Sequence, residues 1–103
     1  MISDSDETLR DTIKNEIGLI AWKELARFFA GGHAVAIDAK LELAEVAFQF
    51  SKDNKIAVEQ LMNQGKVIKI SDEQAQTWFA ADATVAAIVV NPWVLVQAVE
   101  TRH

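Results

Sequence analysis

The sequence predicts an α+β fold, with helices packed on one face of a small, mostly antiparallel sheet. Three observations carry this. Val85 to Val99 reads V-A-A-I-V-V-N-P-W-V-L-V-Q-A-V, fifteen residues without a charge and with one Asn-Pro break in the middle. Each half is too short to cross a bilayer, and together they fall short of the ~20 residues that a spanning helix needs. Val and Ile are stiff at χ1 and suit a pleated surface, so the halves read as two buried strands hinged at Asn91-Pro92. Upstream, apolar residues recur at helical spacing, and two short runs, Ala34 to Ile37 and Val67 to Ile70, interrupt them as strands. The order is α-β-α-α-β-α-β-β, in a single α+β domain over residues 1–103.

Asp4 and Glu7 have the spacing of a capping box, and a long helical pattern follows. Leu9, Ile13, Ile17, Ile20, Ala21, Leu25 and Phe28 make its stripe, widened by Trp22, Ala26 and Phe29. Gly18 inside it marks a bend or break, and Gly31-Gly32 ends it, since glycine takes the left-handed cap conformation cheaply. After the first short strand, Asp38 is expected to cap a helix that is apolar on most sides, with Glu42, Glu45, Gln49 and Lys52 as its narrow polar stripe. Asp53-Asn54 breaks that helix and caps the next, whose apolar face is Ala57, Val58, Leu61 and Met62 and whose stop is Gly65. Ser71-x-x-Gln74 is a capping box for a short helix that turns Ala75, Trp78 and Phe79 inward. Two topologies fit this order: a winged-helix variant with Asp53-Asn54 as its turn, and an unrelated α+β sandwich whose terminal strands pair with a second copy.

Composition bounds the chemistry. The chain has 103 residues, half of them apolar and about a quarter charged, which is ordinary globular usage. A chain of this length buries roughly two-thirds of its unfolded surface and needs no metal or disulfide to fold. It has no cysteine, which excludes disulfides and thiolate chemistry and fits a reducing compartment. The acidic, polar start Met1-Ile2-Ser3-Asp4-Ser5-Asp6-Glu7 is unlike a secretory signal, so the expected location is cytoplasmic with no membrane segment. A net charge of −5 argues mildly against non-specific nucleic-acid binding and leaves room for a local basic patch.

Several segments together resemble a small bacterial family described only as a domain of unknown function. They are Ala21-Trp22-Lys23-Glu24-Leu25 leading into Phe28-Phe29 and Gly31, then Ser71-Asp72-Glu73-Gln74-Ala75 with Trp78, and Val89 to Gln97 with its Pro-Trp-Val-Leu-Val-Gln string. The resemblance spans roughly Ile17 to Gln97 and implies a small bacterial protein. It implies no catalytic positions, because the family has no assigned activity.

The candidate chemistry is sparse. His33, after two glycines, suits a general base that a ligand can approach, or a loop histidine at the negative end of a helix dipole. Glu24, Arg27 and Asp38 could complete a small-ligand site with it, or lie on solvated surface. Glu42 and Glu45 sit one turn apart, but the stripe continues with Gln49 and supplies no histidine to complete a Glu-x-x-His metal site, and no metal or cofactor is expected. Lys52, Lys55, Lys66 and Lys69 give the segment from Lys52 to Lys69 an excess of base; they are a nucleic-acid patch if the winged-helix order holds, or scattered surface lysines. Trp22 and Trp78 occupy core-compatible helical positions, while Trp93, with Val94 and Val96, is the expected interface. No phosphate loop or nucleophile elbow is present. The reading is a non-catalytic protein working by homodimerisation or contact with a protein partner. The alternatives are a winged-helix-like nucleic-acid binder and a small enzyme or ligand-binding protein with its site near His33.

Overall fold

The charge-free end of the chain folds back on itself and supplies the middle of the sheet. In the computed structural model, which describes residues 4–99 and side chains from residue 6 to residue 99, β4 (Thr84–Val90) and β5 (Trp93–Ala98) pair antiparallel from Val85 opposite Ala98 to Val90 opposite Trp93. The Asn91–Pro92 turn between them contains a cis peptide bond. β5 then lies parallel to β2 (Ala34–Ile37), which pairs antiparallel with β3 (Val67–Lys69). On the other side β4 carries β1 (Gly18–Ala21), so the order is β1-β4-β5-β2-β3. The mixed α/β class, the mostly antiparallel sheet and the expected order of elements are therefore found, with one strand added.

That strand lies inside the expected first helix. Helix α1 (Asp4–Glu16) stops before Gly18, and the chain runs extended through Gly18–Ala21 instead of resuming. It then makes a 3₁₀ turn (Trp22–Leu25) and the short helix α2 (Ala26–Ala30). Gly32, at φ +79°, follows α2 in the left-handed region where glycine is cheapest. The Asp4 side chain and His103 lie outside the described residues.

Both faces of the sheet are covered, not one as expected. Alternation along a strand sends successive side chains to opposite faces. Val35, Ile37, Val67, Ile88 and Leu95 meet Ile13 of α1 and Leu43, Val46, Ala47 and Phe48 of α3 (Leu43–Ser51). Ala34, Val85, Ala87, Val94 and Val96 meet Trp22, Leu25 and Ala75, with Trp78 and Phe29 packed beside them. Trp22 is fixed in this second core by its indole N–H, which donates to the Ala75 carbonyl at 3.1 Å, and by an edge contact to Trp78 at 5.0 Å between centroids.

The caps follow the sequence at two helices and depart from it at one. Asn54 accepts from the Ala57 N–H to start α4 (Lys55–Asn63), and Ser71 Oγ accepts from the Gln74 N–H to start α5 (Asp72–Ala80). Asp38 does not cap α3. Its carboxylate accepts from the Lys40 N–H in a local turn, and α3 starts four residues later than an Asp38 cap implies, with Glu42 at its N-cap. α3, the Asp53 turn and α4 make a helix-turn-helix leading into β3. The wing of a winged helix is not built from β3, because α5 follows it and its partner is β2; the hairpin is β4–β5. No helix among the described residues is long and apolar enough to cross a membrane.

Candidate functional site

The residues singled out for a small-ligand site do not converge. His33 and Asp38 bracket β2 at opposite ends, about 16 Å apart for five strand steps. His33 is exposed, and its ring meets Trp93 edge-on at 6.3 Å between centroids. Its backbone is engaged, donating to the Phe28 carbonyl and accepting from the Val94 N–H. Glu24 lies exposed on the 3₁₀ turn, and Arg27 packs over the Phe28 ring at 4.9 Å. Asp38 is held by backbone bonds: its N–H donates to the Lys66 carbonyl, and its carbonyl accepts from Gln97.

The four lysines divide into two pairs. Lys52 and Lys55 stand where α3 gives way to α4, and Lys66 and Lys69 lie beyond the other end of α4, a helix about 13 Å long. Lys52 Nζ is 3.1 Å from Asp6, so part of the positive field there is neutralised. Glu45 pairs with Arg10 of α1, while Arg10 also stacks over Phe48. Among the described residues, no group of three His, Cys, Asp or Glu could hold a metal ion.

The expected interface residues sit deeper than the sequence suggested. Val94 and Val96 are 0% exposed, buried against Trp22 and Ala75, and so cannot meet a partner without unfolding. Trp93 keeps partial exposure at the tip of the hairpin. It borders a cleft of about 290 Å³ whose other walls include Phe50, Val58, Met62 and Pro92, with Lys55 and Glu59 on α4 beside it.

A second surface was not legible in the sequence. Among the described residues β1 is the last strand on its side of the sheet, and Leu19 on it is 70% exposed. β4 runs past the end of β1, leaving Val89 55% exposed beside it. A groove of about 290 Å³ along this edge is lined by Leu19, Ile20, Leu25, Ala87 and Val89, with Glu16 as its charged residue. Gly18 was the available signal: a helical stripe interrupted by glycine and followed by Leu-Ile-Ala also fits a short strand. Gln97 was missed as well. It is, with Asn91 at the turn, one of two amides in the apolar run, and its Nε2 donates to the carbonyls of Asp38 (2.9 Å) and Leu41 (2.8 Å).

No curated protein is significantly similar to the chain. Among solved structures, an NMR solution structure of PA1075 from Pseudomonas aeruginosa is similar, at 33% identity and a TM-score of 0.78 over 100% of this chain and 98% of that one. The match extends to β1 and the hairpin, since it spans the whole sequence. A family model described as protein of unknown function DUF2288 matches residues 8–98, and the chain belongs to that family.

Proposed function

We propose that this protein acts through association with another protein chain, with a second copy of itself as the first partner, and not by catalysis. The observation that supports this is the β1 edge. It carries no charge from Ile17 to Trp22, has no strand beside it among the described residues, and presents Leu19 and Val89 to solvent. Soluble proteins guard strand edges with charge, proline or a covering element, and an unguarded apolar edge is a template for pairing. Sedimentation velocity over a micromolar concentration series tests the reading. A species of twice the monomer mass is expected, and a strict monomer throughout would count against it. A cytoplasmic setting agrees with the cysteine-free composition.

A second reading, a small-ligand site, draws on the Trp93 cleft, which His33 reaches only through the edge contact of its ring with Trp93 and which Glu24, Arg27 and Asp38 do not line. Phe50, Val58, Met62, Val90, Pro92 and Trp93 line it together with the polar Asp53, Asn54, Lys55, Glu59 and Asn91, at the small end of the usual size range for a pocket. Fragment screening monitored by Trp93 resonances tests it; a screen in which no compound shifts them would remove it. The nucleic-acid reading keeps only the two lysine pairs. It predicts a gel shift that weakens steeply with salt.

A further inference from the structure

We infer that two copies of this chain join through β1, paired antiparallel about a two-fold axis at Leu19, so that their sheets become one. The inference rests on the self-association reading and assigns it a surface, a symmetry and a register.

The phase of the β1–β4 ladder decides which groups are free. Trp22 N–H donates to the Ala83 carbonyl at 2.9 Å, continuing the register in which Ile20 faces Val85 and Gly18 faces Ala87. Antiparallel bonds alternate, so Gly18 and Ile20 spend their backbone groups on β4, and Ile17, Leu19 and Ala21 turn theirs outward. Two of those outward groups are engaged within the chain. The Ile17 N–H donates to the Ile13 carbonyl, and Ala21 is the N-cap of the 3₁₀ turn, a position whose carbonyl opens the turn. Among the described residues, that leaves two donors, the N–H groups of Leu19 and Ala21, and two acceptors, the carbonyls of Ile17 and Leu19.

These four groups fit a second copy of themselves in one register. With Leu19 opposite Leu19, each donates to the other across the axis, and each Ala21 N–H meets the Ile17 carbonyl of the second copy. The two engaged groups fall opposite each other, so neither is asked for a second bond. Centring on Ile20 would instead set Leu19 against Ala21 and call on the Ala21 carbonyl.

The side chains agree with this register. The exposed leucines meet across the axis. Ile20 falls opposite Gly18 of the second copy, where no atom lies within 4 Å of the place a Cβ would take. It then covers the apolar groove beside Ala87 and Val89. Glu16 and Lys23 flank β1 with opposite charges, so antiparallel pairing sets no like charges against each other there, with Lys23 Nζ already 3.6 Å from Asp82 of its own chain. The far edge of the sheet also exposes an apolar residue, Ile68 at 52%, but it is flanked by charge. β3 ends on Lys69 and is preceded by Lys66, so two such edges repel, and assembly closes at two copies.

The test is sedimentation velocity on the full chain, on Leu19→Lys and on Phe79→Lys, with circular dichroism confirming each fold. Leu19→Lys sets two ammonium groups face to face and is expected to weaken dimerisation by at least ~tenfold. Phe79 on α5 is comparably exposed, at 65%, and its lysine variant is expected to dimerise as the parent does. Amide exchange gives a readout that needs no variant. The Leu19 and Ala21 amides should slow as dimer forms, while the Ile20 amide, already bonded to β4, should change little. A dimer that survives Leu19→Lys, or one in which the Leu19 and Ala21 amides stay fast, overturns the β1 assignment and leaves self-association standing. A parent protein that stays monomeric overturns both.

Discussion

Leu95 shows what the core requires of one residue. It is fully buried at the centre of the sheet, between β4 and β2, facing α3 and α1. Leu95→Ala removes its methyl groups and leaves a cavity, so it is expected to cost about 2–5 kcal/mol, read from the shift in urea unfolding midpoint. Gln97 acts by hydrogen bonding. Its two bonds to the carbonyls of Asp38 and Leu41 tie β5 to the loop that leads into α3. Gln97→Ala removes the Leu41 carbonyl's side-chain donor and leaves the Asp38 carbonyl with the Leu41 N–H alone, and a loss of about 1–3 kcal/mol by the same measurement is expected. Leu19 contrasts with both, since its exposure means that a lysine there should hardly change monomer stability.

At the scale of elements, end signals were more legible than the length of the first helix. Asn54 and Ser71 announced their helices because a side-chain oxygen before an apolar run satisfies an otherwise orphaned N–H. Asn54→Ala is expected to destabilise by about 1 kcal/mol in thermal or urea melts, with the loss centred on α4. The β4–β5 hairpin was legible because a charge-free, Val-rich run broken by Asn-Pro has few other ways to fold. The first helix was overextended because Ile13, Ile17 and Ile20 sit at helical spacing whether or not the chain between them is helical. Gly18 broke the helix, and pairing with β4, a partner more than sixty residues away, turned the break into a strand. Val94 and Val96 were misread for a related reason. Their alternation marked one face of β5, but helices from distant segments cover that face as well as the other. Which strand lies at an edge is likewise set by long-range pairing, so the β1 surface had no local signature.

For the whole molecule, charge and topology bear on the same question. Each copy carries a formal charge of −5, so two copies repel at long range while the β1 surface itself is neutral. Screening shortens that repulsion to roughly 8 Å at physiological ionic strength. Dimerisation is therefore expected to hold or tighten as salt rises, measured by sedimentation equilibrium. Binding to nucleic acid through Lys52, Lys55, Lys66 and Lys69 would move the opposite way. The most direct measurement is an isotope-filtered NOE experiment on an equal mixture of labelled and unlabelled protein, which records only contacts between copies. Cross-peaks between the Leu19 methyl groups of the two copies, and from Ile20 of one to Gly18 of the other, are predicted. Intermolecular peaks confined to other surfaces, or none at concentrations where a dimer sediments, would contradict the account.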